Sequence, residues 1–96
     1  MTAYESVFIL QSDLDEETKD SILEKVKEVI SKNGGELIQL DGWGKKKLAY
    51  TINKTYKEGD YYQVNFYGNQ DVLSELDRFY KMNDEVIRSL TVKQEA

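Results

Sequence analysis

Three close pairs of acidic residues are the first candidates for chemistry in this chain: Asp13/Asp15, Glu16/Glu17 and Asp84/Glu85. Two neighbouring carboxylates can hold a divalent cation, or one can act as general acid and the other as general base. No pair is bracketed by further ligands, and Asp15, Glu16 and Glu17 fit the start of a helix, where acids are stabilising. We therefore expect structural or solvated roles for these acids, and no metal site.

Residue types that most enzyme active sites use are missing. The chain has no His and no Cys, which excludes the commonest general base and metal ligand, a thiolate nucleophile and a disulfide framework. It has no glycine-rich phosphate loop, and Gln11–Leu14 lacks the Arg, Lys or Gly of an anion-binding loop. We therefore expect no catalytic residues, no cofactor and no enzymatic activity, and a small hydrolase is the least favoured function.

The lysines are distributed unevenly along the chain. The formal net charge is −5, with 18 acidic and 13 basic residues. Residues 42–57 nevertheless contain five lysines and no acid, whereas the acids are concentrated in residues 13–41. Because salt screens charges over ~8 Å, a local basic patch can bind a polyanion despite the overall sign. The competing interpretation is that these lysines protect an exposed sheet edge from aggregation.

Hydrophobic periodicity predicts the six elements that position these charges. In chain order they are a strand at Tyr4–Leu10, a helix from Asp13 or Asp15 to Gly34, an extended element in two pieces at Glu36–Trp43 and Lys46–Lys54, a strand at Tyr61–Tyr67, a helix at Gln70–Lys81 and a strand at Val86–Lys93. Gly42 and Gly44 predict a bulge, Lys57–Asp60 predicts a turn, and Asn69 caps the second helix.

Apolar stripes predict which faces of the helices are buried. They comprise Ile22, Leu23, Val26, Val29 and Ile30 in the first helix and Val72, Leu73, Leu76, Phe79 and Tyr80 in the second. Lys19 lies among acids on the other side of the first helix, where we expect solvated ion pairs. Apolar residues on both faces of the first strand, such as Phe8 and Ile9, predict a central strand.

The order β-α-β-β-α-β predicts the fold class. Right-handed crossovers place both helices on one face of a four-stranded antiparallel sheet, which is the ferredoxin-like α+β arrangement. We expect a single domain over residues 1–93 and a short tail at 94–96. No apolar run approaches the length of a membrane span. The fold alone does not select a function, since it hosts enzymes, metabolite sensors and RNA binders.

The aromatic residues allow a second kind of RNA binding to be considered. Val7–Gln11 resembles the shorter signature of an RNA-recognition motif, in which aromatic rings on the two central strands stack on bases. The third strand lacks the basic-Gly-aromatic-Gly opening of the longer signature. We expect most rings, including Phe8 and Tyr62, to be core, with Tyr61 and Tyr67 left for the open sheet face or its rim.

The most specific motif is the run Gly44–Lys54, with the sequence GKKKLAYTINK, which follows Trp43. It resembles the signature of the bacterial-type small-subunit ribosomal protein six family, in which Gly and basic residues precede Leu-Ala-Tyr-x-Ile. The resemblance extends in matching order to Tyr4-Glu5, Gly34, Glu58-Gly59, Tyr62-Gln63-Val64 and Asn83-Asp84-x-Val86-Ile87-Arg88. It therefore covers nearly the whole chain.

The resemblance implies a non-catalytic structural constituent of the small (30S) ribosomal subunit with a ferredoxin-like fold. It implies binding to the central domain of 16S ribosomal RNA, together with the eighteenth small-subunit ribosomal protein as heterodimer partner, in the cytoplasm. It implies no membrane and no small-molecule substrate. Thr2 and Ala3 stand where some relatives carry arginines, so no RNA contact is carried over to the N-terminus.

The residues that match the basic positions of the family are the expected RNA contacts: Lys45, Lys46, Lys47, Lys54, Arg88 and Lys93. We expect these six side chains to lie at one rim of the sheet and to contact phosphates. Trp43 and Leu48 are the expected partner contacts, since an exposed apolar strand edge favours pairing. Trp43 alternatively covers the end of the core.

The alternative function is a non-ribosomal ferredoxin-like module for interaction or ligand sensing. In that case the lysine run would only prevent edge-to-edge aggregation.

Overall fold

The computed structural model describes residues 2–52 and 56–94, with side chains described for residues 2–42 and 59–94. The elements are β1 (Thr2–Gln11), α1 (Glu16–Lys32), β2 (Glu36–Ile52), β3 (Tyr56–Gly68), α2 (Gln70–Met82) and β4 (Val86–Lys93). This is the predicted order, although β2 is one continuous strand rather than two pieces. The register of β2 shifts between Gly42 and Gly44, which confirms the predicted bulge.

The strands form one sheet in the order β2-β3-β1-β4, and every neighbouring pair is antiparallel. The ferredoxin-like fold class is thereby confirmed. β1 and β3 lie in the centre, as the apolar residues on both faces of β1 predicted, and β2 and β4 are the two edges. The helices follow β1 and β3, so each crossover skips one strand position.

The core lies between one face of the sheet and the two helices. The sheet contributes Phe8, Leu10, Val64 and Phe66, and the helices contribute Ile22, Val26, Ile30, Val72, Leu76 and Tyr80. The remaining residues of the predicted stripes, such as Leu23 and Phe79, are half-buried against this cluster. Both apolar stripes are confirmed, because apolar residues at helical spacing are brought to the face that packs on the sheet.

Caps define where the helices begin and end. Asp15, and not Asp13, accepts a hydrogen bond from the Thr18 N–H at 2.8 Å, and Asn69 accepts one from the Val72 N–H at 3.1 Å. The hydrogen bonds from Thr18 hold the pKa of Asp15 below its ordinary value. Gly34, just after the first helix, has φ +89°, a conformation that glycine adopts without steric cost.

The prediction of a turn at Lys57–Asp60 is wrong, because these residues lie inside β3. Gly59 pairs with Gln11 of β1 and with Lys46 of β2. A Cβ atom at position 59 would collide with Cγ2 of Ile9. The glycine therefore allows the Ile9 side chain to lie close to the β3 backbone, and it does not mark a reversal of the chain.

The prediction that Lys19 is solvated is also wrong. Lys19 is only 8% exposed, and its Nζ lies 2.9 Å from Oδ2 of Asp60, which is 4% exposed. The Tyr62 hydroxyl donates to the same carboxylate oxygen at 3.2 Å. The hydrogen bond to Asp60 raises the pKa of Lys19, so this stabilising contribution is complete below the ordinary lysine pKa and is lost only as the pH rises above it.

A second polar contact joins α2 to the sheet. The hydroxyl oxygens of Ser6 and Tyr80 lie 2.9 Å apart inside the core, and Thr91 of β4 donates to the Ser6 oxygen at 2.9 Å. Burial raises the pKa of Tyr80 far above its ordinary value. Three elements, β1, β4 and α2, are therefore connected through one buried serine.

Removing the Tyr80 hydroxyl tests the strength of this connection. We expect Tyr80→Phe to lower the free energy of unfolding by about 1 kcal/mol, the usual net worth of a hydrogen bond, because Ser6 keeps its bond from Thr91. Urea denaturation followed by circular dichroism measures the change. Tyr67→Phe is the matched control, since Tyr67 is exposed. Equal stability of the two variants would contradict the expectation.

Candidate nucleic-acid interface

The lysine run lies in the edge strand β2. In the register with β3, Lys45 pairs with Asp60, Lys46 with Gly59 and Lys47 with Glu58. The side chains of Lys45–Lys47, Trp43 and Leu48 lie outside the described part of the structure, and Lys54 lies outside it entirely. The backbone register thus places three of the six predicted RNA contacts at consecutive positions along one edge of the sheet.

The expectation that all six cations lie at one rim is wrong. Arg88 and Lys93 belong to β4, and β2 and β4 are opposite edges of the sheet. Three interstrand spacings, roughly 14 Å, separate the two edges. The cause is the connectivity, because each β-α-β crossover skips a strand position and so places β1 and β3 between β2 and β4.

The two cations of β4 are themselves well separated. Arg88 pairs with Ile9 and Lys93 with Tyr4 of β1, so they lie on opposite faces of the sheet. Lys93 is five positions further along the strand, roughly 16 Å at the usual rise per residue. Both are exposed, and Arg88 borders a shallow apolar groove with Val7, Ile9 and Leu90.

The sheet face that the helices leave uncovered lacks the pattern of rings that an RNA-recognition motif uses. On β1 this face carries Glu5, Val7 and Ile9, none of which is aromatic. The ring of Phe8, which the resemblance to an RNA-recognition motif would use, is fully buried and packs on Tyr62 and Tyr80. An RNA-recognition motif needs rings on both central strands. That mode of RNA binding is therefore excluded.

Several exposed acids lie on the first helix. The exposed acids of α1 are Glu16, Glu17, Asp20, Glu24 and Glu28, and α1 covers one face of the sheet. Among the described residues, no group of three or more acids is arranged to hold a metal ion. Neither described helix has the length and apolarity needed to cross a bilayer. The two helices therefore hold eight of the 18 acids together with six cations, and the lysine run lies in an edge strand.

The backbone directly behind the lysine run is held by contacts that the sequence did not reveal. Asp60, opposite Lys45, is held by Lys19, and Gly59, opposite Lys46, lies beneath Ile9. Asp60 and Gly59 are both buried. The sequence signal was misleading here, because Lys-Glu-Gly-Asp is a composition typical of turns.

The geometry defines a class of protein: a small ferredoxin-like domain with a one-sided core and cations in its edge strands. Residues 3–93 match the family model described as Ribosomal protein S6. The chain belongs to the ribosomal protein S6 family. Members of this family are structural components of the small ribosomal subunit rather than enzymes.

Bacterial relatives match along their full length. The chain is 41% identical over 95 residues to small ribosomal subunit protein bS6 of Desulfitobacterium hafniense (strain DSM 10664 / DCB-2), covering 99% of each chain. It is 45% identical over 95 residues to the protein of the same name from Clostridium acetobutylicum, again covering 99% of each. The family resemblance predicted from the lysine run and its flanking motifs is confirmed.

Solved structures agree on the fold. The crystal structure of 30S ribosomal protein S6 from Thermotoga maritima superposes with a TM-score of 0.89 at 34% identity, covering 97% of this chain and 87% of that one. The P2 domain of chemotaxis kinase CheA, solved in complex with the response regulator CheY from the same organism, gives a TM-score of 0.61 at 7% identity, covering 97% and 98%. The second likeness shows the fold alone.

The close approach behind Lys46 generates a prediction about stability. We expect Gly59→Ala to lower the free energy of unfolding by about 1–3 kcal/mol, because the added methyl group overlaps the Ile9 side chain. Combining it with Ile9→Ala removes the colliding methyl group, so the two losses should not add. Denaturant titration of the two single variants and the double variant measures this coupling. Strict additivity would show that Ile9 does not restrict position 59.

Proposed function

We propose that this chain binds the central domain of 16S ribosomal RNA, together with the eighteenth small-subunit ribosomal protein, in the cytoplasmic ribosome. The observation that carries the proposal is the lysine run at an edge of the sheet in a chain that matches the S6 family over residues 3–93. The relatives are named as proteins of the small ribosomal subunit.

The proposed RNA contacts are Lys45, Lys46 and Lys47 of β2, Arg88 and Lys93 of β4, and Lys54, which lies outside the described residues. Because β2 and β4 are opposite edges, the two groups contact different segments of the folded RNA rather than one continuous strand. Lysine contributes a point charge to a phosphate, whereas the arginine fork forms two directed hydrogen bonds. Arg88 therefore contributes most per residue.

The mode of recognition follows from what the sheet lacks. With no ring on the open face of β1, the protein binds phosphates and the shape of the RNA rather than stacked bases. The few cations give weak binding to RNA alone and tight binding only with the protein partner. Trp43 and Leu48 are the proposed contacts with that partner.

Removing two lysines of the run tests the RNA contact. We expect Lys46→Ala/Lys47→Ala to impair assembly with the partner protein and a central-domain 16S RNA fragment without loss of fold. If 3–5 phosphates are contacted, the slope of log affinity against log salt for the wild type should be near −3 to −5 by duplex analogy, and it should become shallower by roughly 2 in the variant. Filter binding at several salt concentrations measures both quantities.

The matched control removes the same charge from another part of the chain. Lys25→Ala/Lys32→Ala changes two exposed lysines of α1, and it should leave both the affinity and the salt slope unchanged. Undiminished assembly of Lys46→Ala/Lys47→Ala would remove these residues from the interface. A wild-type affinity that does not depend on salt would contradict the proposed function as a whole.

The absence of base stacking gives a separate expectation. Tyr67, in the described part of β3, has an exposed ring on the open face. Tyr67→Ala should change the affinity for the same RNA and partner by less than about twofold, whereas a stacked base would be worth roughly 1–3 kcal/mol. The same binding assay decides, with circular dichroism as the check on folding. A tenfold loss would show that bases stack on the open face.

A further inference from the structure

We propose that Lys19 and Asp60, together with Ile9 above Gly59, clamp the part of β3 that lies behind the lysine run and thereby position that run for RNA. This inference rests on the proposed function and deepens it. Lys19 and Asp60 are positioning residues, because they act through the backbone of β3 and not by contact with RNA. These two contacts, Lys19–Asp60 and Ile9–Gly59, are called the β3 clamp below.

On the helical face the clamp is an ion pair across the core boundary. Nζ of Lys19 lies 2.9 Å from Oδ2 of Asp60, and the side chains of the two residues are 11% and 6% exposed. Glu16 adds a longer contact to the ammonium at 3.7 Å, and the Tyr62 hydroxyl donates to Asp60. The first turn of α1 is thereby fixed to one position of β3.

The energetics of such a pair favour a role in geometry rather than in net stability. Removing two charges from water costs much of what their attraction returns, so an apolar pair of similar size is often equally stable. The directional contact between Lys19 and Asp60 nevertheless fixes how α1 is positioned and oriented relative to β3. The carboxylate also accepts from Tyr62, which restricts its orientation further.

On the open face the clamp is steric. Gly59 is buried beneath Ile9 so closely that a Cβ atom at position 59 would collide with the Ile9 side chain. Ile9 belongs to the central strand β1, which pairs with β3 on one side and β4 on the other. The β3 backbone is therefore held from both faces at two consecutive residues, Gly59 and Asp60.

The position of the clamp in the register connects it to the lysine run. Asp60 pairs with Lys45 of β2, and Gly59 pairs with Lys46 of β2. Gly59 is also the first residue of β3, in chain order, that pairs with β1, where it lies opposite Gln11. On the N-terminal side of Gly59, β3 pairs with β2 only, as in Lys47–Glu58 and Ile52–Tyr56. This part of β2 and β3 forms a two-stranded ribbon, which is only marginally stable by itself. Its orientation therefore depends on the residues where it joins the rest of the sheet.

The test removes the ion pair without leaving an unpaired charge. Lys19→Met/Asp60→Asn keeps the volume of both side chains and keeps an acceptor for the Tyr62 hydroxyl. The matched control is Lys27→Met/Glu24→Gln, which removes an exposed ion pair of the same helix with the same change in charge. Circular dichroism confirms that each variant is folded before the comparison.

Two measurements are made on each variant and on the wild type. Amide hydrogen exchange should accelerate about tenfold in residues 44–52 and 56–60 of Lys19→Met/Asp60→Asn, with no change in the β1–β4 pairing, because local opening is governed by local contacts. The affinity for the central-domain RNA fragment with the partner protein should fall by about 5–10-fold, equivalent to roughly 1 kcal/mol. The control variant should match the wild type in both.

Each combination of results decides between the claims. Unchanged exchange in the lysine segments overturns the clamp, whatever the affinity. Faster exchange with unchanged affinity overturns the positioning role. If the wild type itself fails to bind the RNA with its partner, the proposed function fails, while exchange still decides the clamp.

A second variant covers the case in which Lys19→Met/Asp60→Asn does not fold. Ile9→Ala loosens the steric half of the clamp and should accelerate exchange in the same segments. Exchange at wild-type rates in this variant would overturn the clamp.

Discussion

Burial of only one face of the sheet is the constraint on which the rest of this molecule depends. Phe8, Leu10, Val64 and Phe66 alternate along the central strands and pack beneath both helices, so the residues between them are directed to the uncovered face. The helices cover one face of the sheet and carry eight of the 18 acids. The uncovered face and the rim of the sheet remain accessible, and the lysine run and the cations of β4 lie at the rim.

Two buried polar contacts fix the position of the helices on that sheet. Ser6, Tyr80 and Thr91 join α2 to β1 and β4, and Lys19 with Asp60 joins α1 to β3. Among the described side chains, no buried nitrogen or oxygen lacks a hydrogen-bond partner. Apolar packing tolerates small sliding movements, whereas a satisfied polar contact defines one arrangement. Under the proposed function, a fixed relation between core and edge would hold a few cations at set positions for contact with phosphates.

The fold and family could be read from the chain because their signals are local. Helical stripes, a cap at Asp13 or Asp15, the cap Asn69, the left-handed Gly34 and the bulge between Gly42 and Gly44 each depend on residues a few positions apart. The family signature at Gly44–Lys54 is likewise one contiguous run, and the match over residues 3–93 confirmed it. A candidate basic site could be proposed from the sequence as well, because residues 42–57 contain five lysines and no acid.

The sequence by itself determined the order of elements, the buried stripes and the segregation of charge, because these depend on spacing along the chain. Only the tertiary structure decided that Lys19 meets Asp60, that Lys-Glu-Gly-Asp continues a strand, and that Arg88 and the lysine run occupy opposite edges. The Ser6–Tyr80 contact joins residues 74 positions apart. Such contacts are created when crossovers bring distant segments together, and no local pattern of residue types encodes which partners will meet.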